Sequence, residues 1–202
     1  MTPEQRARTI PPRPSSPGGP RLGGDDLLTD LFEAMAELHF LRDALEGADF
    51  VLALALEKLP CEAGLVSLFD INRRQYVIVR QAGGERSGLL LRLSQRAKLA
   101  QQAMRFARAI VVEDATATPE LVDERWEQIG VVPRSLLCAP VELSGRYLGL
   151  IELANPQDGV AFKETDGHAV TYIGRQFAEF VADRGVIVDP DIVLEDIEDD
   201  GR

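Results

Sequence analysis

Apolar and polar positions alternate in several distinct rhythms along the 202 residues. In the segment 25–47, Leu28, Leu31, Met35, Leu38, Arg42 and Leu45 follow steps of three and four, the spacing of a helical packing seam. Asp25 and Asp26 suit the start of that helix and Gly47 its end. The next run, ADFVLALALEKL, is apolar nearly all round, which predicts a buried helix stopped by Pro60. Then the pattern becomes β-rich. AGLVSLFD and QYVIVRQAG predict a hairpin joined by INRR, and LLLRL (89–93) predicts a short further strand.

SQRAKLAQQAMRFARA predicts a helix capped by Ser94, and IVVED (110–114) a strand. TPELVDERWEQIG predicts a helix with Thr118 as cap and Pro119 in its first turn. RSLLCAPVELSG and RYLGLIELANP predict a second hairpin whose turn is SGR, residues 144–146. From about Glu164 to Arg184 a last helix carries the stripe Ala169, Ile173, Phe177 and Phe180. The order implies an α+β domain. Its central, mostly antiparallel sheet of about six strands has helices on both faces, the first and last packed together.

Composition divides the chain into a leader, 1–24, a domain, 25–184, and a tail, 185–202. The leader holds six prolines and four glycines at a charge of +3, too little apolar surface to offset ordering, and is expected to be disordered. The tail has seven acids against one Arg, yet keeps Val186, Ile187, Val188, Ile192, Val193, Leu194 and Ile197. That pairing predicts an acidic docking segment, acting in cis or in trans, and through it a protein partner. Nothing after the last helix resembles an output domain, so output is expected to pass through that partner.

Net charge is −11, which disfavours nucleic acid as a partner. No apolar stretch is long enough to span a membrane, and no secretory signal opens the chain, so the expectation is cytoplasmic. Arg is far commoner than Lys, of which there are three, and with abundant Ala this composition points to a GC-rich bacterial genome.

Cys61 and Cys138 lie far apart, and only His39 and His168 join them as soft ligands, without metal-binding spacing. No nucleophile elbow, phosphate-binding Walker loop or paired-carboxylate motif occurs. The expectations are therefore no catalytic residue, no metal, no cofactor and no enzyme.

SLLCAPVELSGRYLGLIELANPQDGVAFKETDGHAVTYIGRQFAEFV sets an apolar strand, a Gly-containing turn, a second strand, Asn155, Phe162, Asp166 and an amphipathic helix in a particular order. In that order, and in ARAIVVEDATATPE with Asp114, the chain resembles a GAF domain, a sensor module related in shape to PAS domains. The resemblance covers roughly residues 30–184. It implies a ligand space between sheet and variable helices, for which Arg92, Asp114, Trp126, Asn155 and Asp166 are the candidate residues. Cyclic-nucleotide-binding members carry Asn-Lys, a Phe and Asp-Glu. Here Pro156 replaces the Lys and Gly167 the Glu, so the ion pair pinning that loop cannot form. Ordinary roles then suit Asn155 as a turn residue, Phe162 as a core plug and Asp166 at a helix start. Neither cysteine carries the following His typical of bilin-binding members.

Two functions follow as expectations. One is a signalling module that dimerises through Leu28, Leu31, Met35, Leu38, Ile173, Phe177 and Phe180 and contacts another protein. The other is a sensor of a cyclic nucleotide or other small molecule. A sensor should hold a sizeable polar-lined pocket, whereas a contact module should have that space filled.

Overall fold

The computed structural model describes residues 25–185 and 188–199. The leader, Val186 and Ile187, and the side chain of Ile197 lie outside the described residues.

Helix α1 (Asp25–Met35) tightens into a 3-10 turn, Ala36–Phe40. Leu27, Leu31, Met35 and Leu38 form its buried seam, while Leu28 and Phe32 face outward. The expected continuation to Gly47 does not occur. Leu41 is extended, and Asp43 starts a new helix by accepting hydrogen bonds from the amides of Leu45 (2.9 Å) and Glu46 (3.0 Å). That helix, α2 (Ala44–Lys58), contains Gly47 in its first turn. A Cβ there would lie 2.6 Å from the Phe180 ring, so this glycine allows close helix packing rather than ending a helix.

The sheet has five strands: β1 (Cys61–Asp70), β2 (Gln75–Ala82), β3 (Ile110–Val112), β4 (Leu136–Leu143) and β5 (Arg146–Pro156). Their spatial order is β2-β1-β5-β4-β3, and every neighbouring pair is antiparallel. The β4–β5 turn is Ser144-Gly145, both at positive φ (51° and 81°), the twist a two-residue hairpin requires. The expected strand at 89–93 is absent. Leu90 sits at φ 66°, which breaks the pleat, so the segment meets β2 at one isolated bridge, Val77 to Arg92. Backbone bonds flank it, from the Leu90 amide to the Ile78 carbonyl (2.8 Å), the Ile78 amide to the Leu91 carbonyl (3.0 Å) and the Leu93 amide to the Tyr76 carbonyl (2.9 Å).

Helix α3 runs Lys98–Phe106, starting later than the sequence pattern suggests. Ser94 instead closes a local turn by accepting from the Arg96 amide at 3.1 Å. The expected helix at 118–130 is divided. A 3-10 turn at Pro119–Leu121 is followed by extended Val122, and Asp123 then caps the five-residue helix α4 (Glu124–Gln128). Helix α5 (Glu164–Arg184) closes the domain, and α6 (Pro190–Asp199) follows.

Alternation along the strands sorts the core into two layers. Val66, Leu68, Leu137, Ala139, Ile151 and Leu153 face α1, α2 and α5. Ala63, Leu65, Leu136, Cys138, Leu150 and Ala154 face α3 and α4. Val188 and Val193 of the acidic tail are buried in the first layer, whereas Ile192 and Leu194 are exposed.

Candidate functional site

The second layer holds the chemistry the fold is able to concentrate. Its centre is Glu152 on β5, in register with Leu65 on β1 and Cys138 on β4. Above it, α4 delivers Arg125. Its Nη2 donates to Glu152 Oε2 (2.8 Å), its Nε to Asp123 Oδ1 (2.6 Å) and its Nη1 to Ser67 Oγ (3.2 Å). Asp123 also accepts from the Arg125 amide at 3.2 Å, so one carboxylate both caps the helix and orients its guanidinium.

Arg125 is 1% exposed, and Trp126 and Ile129 beside it are equally inaccessible. Together with Leu99, Ala100 and Ala103 of α3, they fill the space between sheet and variable helices. Burial lifts the Glu152 carboxyl above the ordinary range, against the opposing pull of Arg125. Burial, with the charge of Glu152 next to it, pushes the Cys138 thiol well up. A thiol so held is a poor nucleophile. A buried carboxylate paired with a buried guanidinium is unsuited to exchanging protons with a substrate. The cluster is suited to holding α4 in one place.

The gly-containing loop after β2 secures the same helix. The amides of Glu85 (2.8 Å) and Arg86 (3.2 Å) both donate to the Ile129 carbonyl, and Arg86 Nη2 donates to the Glu127 carbonyl at 2.8 Å.

The sequence-derived candidates do not converge. Trp126 lies within the packed layer. Arg92 is exposed at an open cleft beside the β1–β2 hairpin. Asp114 is exposed, its Oδ1 accepting from the Thr116 amide (2.9 Å), the Thr116 hydroxyl (2.6 Å) and the Ala117 amide (3.3 Å). The bonds from Thr116 and Ala117 hold this carboxyl below its ordinary value.

Asn155 is at φ 57° and buried. Its Oδ1 accepts from the Arg134 (2.7 Å) and Ser135 (3.3 Å) amides, and its Nδ2 donates to Glu62 Oε2 (2.8 Å) and the Val132 carbonyl (3.0 Å). It therefore ties the end of β5 to Glu62 on β1 and to the segment that leads from α4 into β4. Phe162 is fully buried in the first layer, and its amide donates to Ser135 Oγ at 3.0 Å. Asp166 Oδ2 accepts from the Lys163 amide (2.8 Å) at the start of α5. A Cβ on Gly167 would sit 3.1 Å from Val111 Cγ2, so a Glu there would press into β3.

Of the residues expected at a dimer face, Leu31, Met35, Leu38, Ile173, Phe177 and Phe180 are buried in this chain's own core. Leu28 alone of that set stays accessible, at 39%, joined by Phe32 at 70%. The α1 seam packs inward because its partner surface, α2 and α5, belongs to the same chain.

Sequence reasoning missed Asp123, Arg125, Glu152 and Ser67. A charged residue beside Trp126 on a short helix reads along the chain as solvated, whereas Arg125 and Trp126 are both buried. The available signal was Glu152, a lone acid within the apolar run LGLIELA.

The GAF domain family model matches residues 43–183. The chain belongs to the GAF domain family. The match begins at Asp43, the residue that caps α2, and so leaves α1 outside it. Solved structures repeat the fold. The GAF domain of an Acinetobacter phosphoenolpyruvate-protein phosphotransferase superposes with a TM-score of 0.67 at 14% identity, covering 82% of this chain and 99% of that one. Its counterpart from Coxiella burnetii gives 0.66 at 19% identity, covering 78% and 93%. The free methionine-R-sulfoxide reductase of Neisseria meningitidis, solved with its substrate, gives 0.63 at 16% identity, covering 82% and 95%. No curated protein matches the chain. Among the described residues no helix is long and apolar enough to cross a membrane, and no group of His, Cys, Asp and Glu is placed to hold a metal.

Proposed function

We propose that this GAF domain is a non-enzymatic cytoplasmic signalling module that works by protein contact, a second copy of itself being one partner. The observation that carries the reading is the filled second layer. Arg125, Trp126 and Ile129 occupy the space where a GAF sensor of the expected kind would take its ligand, and each is at most 1% exposed. The Arg125 charge is met by Glu152 and Asp123 of the same chain. Contact surface is available instead on α1, where Leu28 and Phe32 stand one helical turn apart on the outside.

The test is sedimentation velocity of the full chain beside Phe32→Glu. Phe32 lies outside the core, so the variant should melt at the parent temperature. The expected outcome is a dimer for the parent and a monomer for the variant. A parent that remains monomeric at every concentration, and retains a small molecule in native mass spectrometry, would sink the contact reading.

One observation favours the second reading, a sensor of a cyclic nucleotide or other small molecule. An open cleft of about 480 Å³ lies outside the packed layer, at the β1–β2 hairpin. Its volume falls within the range of small-molecule sites.

A further inference from the structure

The cleft at the hairpin is chemically unlike the rest of this chain. The protein carries a net charge of −11, yet Arg73, Arg74 and Arg92 all line this one space. Arg73 is held by Asp70: its amide (3.2 Å) and Nη1 (3.3 Å) donate to the two carboxylate oxygens. Among the described residues, Arg74 and Arg92 have no carboxylate within ion-pair distance. Two unusual backbone conformations shape their surroundings. Arg74 is itself at φ 52°, and Leu90 at φ 66° turns the chain so that Arg92 bridges to Val77 on the sheet edge. Strain of this sort concentrates where a side chain's position matters.

The walls between the arginines are mixed: Gln75, Ser94, Gln95 and Gln101 lie beside an apolar patch. In that patch Phe69 and Tyr76 form an edge-to-face pair with ring centres 5.1 Å apart, joined by Leu93, Ala97 and Met104. The Tyr76 hydroxyl donates to the Tyr147 carbonyl at 3.1 Å, which fixes the ring. A bare inorganic ion would engage the guanidinium groups but leave the apolar patch of Phe69, Tyr76, Leu93, Ala97 and Met104 unused. The cleft suits an oxyanion carried on an apolar or aromatic body: the guanidinium forks take the anion and the patch takes the body.

We infer that the cleft formed by the β1–β2 hairpin, the 90–97 segment and α3 is a binding site for a small organic oxyanion, a phosphate or carboxylate on an apolar body, with Arg74 and Arg92 as its anion-binding residues. The site lies on the α3 side of the sheet, beyond the space closed by Arg125 and Trp126. It needs no opening of the packed layer. It gives the small-molecule reading a place and a ligand class, and it stands independently of the α1 contact surface.

Isothermal titration of the full chain at low ionic strength tests it, with phenyl phosphate and benzoate as probes and inorganic phosphate and phenol as the separate halves. Saturable binding of a whole probe, at least about tenfold tighter than either half, is expected. Preference between the two probes assigns phosphate or carboxylate. Arg74→Ala with Arg92→Ala should weaken binding about tenfold or more, while Arg175→Ala, on α5 in the other layer, should leave it unchanged. Both arginines are exposed, so thermal melting should show the double variant as stable as the parent. Equal affinity in parent and double variant, binding of inorganic phosphate as tight as phenyl phosphate, or no heat from either probe would each overturn the assignment. The Phe32→Glu sedimentation result is unaffected by any of these outcomes, so the two proposals fail separately.

Discussion

The two faces of the sheet solve the same burial problem with different materials. Toward α1, α2 and α5 the layer is hydrocarbon: Leu31, Val51, Leu153, Ile173 and Phe177 are all 1% exposed or less. Toward α3 and α4, Arg125, Glu152 and Asp123 are also buried, at 1%, 3% and 8% exposure. Long helices cover the first face, with 15 residues in α2 and 21 in α5. The second is covered by α3, of nine residues, and by α4, of only five. A helix that short has little apolar area with which to hold itself down, and isolated short helices are marginal. A directional network supplies the missing specificity. Charge-assisted bonds fix one orientation of α4, whereas hydrocarbon contacts would allow several. The cost is desolvation, and it makes the second face the vulnerable one.

That comparison breaks most readily at Glu152. Glu152→Ala leaves a buried guanidinium short of its main partner and should lower unfolding free energy by about 3–5 kcal/mol in urea denaturation. A loss below about 1 kcal/mol would mean that Arg125 escapes to solvent and the network is not holding α4. The informative companion replaces the whole network: Asp123→Ser keeps a capping oxygen, while Arg125→Met and Glu152→Leu supply hydrocarbon. This triple variant should be about as stable as the parent, or more so, because removing a buried ion cluster entirely avoids its desolvation penalty. If its α4 amides also lose hydrogen-exchange protection, specificity rather than stability is what the charges provide.

Asn155 comes next. It anchors the segment linking α4 to β4, through the Val132 carbonyl and the Arg134 and Ser135 amides. Asn155→Ala should cost about 1–3 kcal/mol, since it strands buried polar groups. Asn155→Gly relieves the positive φ but not the lost bonds, so the difference between the two variants, about 1 kcal/mol, measures the backbone part. Equal melting temperatures for the two would exclude a backbone contribution.

The smallest effect belongs to the hydrocarbon face. Asp166→Ala removes the carboxylate that accepts from the Lys163 amide at the start of α5. About 1 kcal/mol should be lost, with faster exchange confined to the first turn of α5. If α4 responds instead, the two faces are coupled and the contrast between them is too sharply drawn.

Much of the fold was legible because its signals are local. The period-two runs at β1, β2, β4 and β5 and the Ser144-Gly145 turn each depend on neighbours a few residues away. The errors share a cause. Asp43 caps a helix in the middle of an apparently continuous seam, and Leu90 adopts a left-handed conformation that a Leu-rich run does not advertise. In both, one residue's own conformation, a side-chain cap at Asp43 and a positive φ at Leu90, outweighed the hydrophobic period. Asn155 and Asp166 were legible as turn and cap residues for the same local reason. Arg125 was not, since a charged residue next to a Trp on a short helix reads as solvated until its partners are known.

By itself, then, the sequence determined the α+β order, the antiparallel hairpins and the departures from the nucleotide-binding pattern at Pro156 and Gly167. Backbone preference and side-chain period act over a few residues, so they can be read along one dimension. Only the tertiary structure decided that the α1 seam packs into its own domain and that Arg125 meets a Glu 27 residues away. It also decided that Arg73, Arg74 and Arg92 share one cleft. Burial and electrostatic pairing depend on distance in space, and segments far apart in the chain become neighbours only when the sheet has formed.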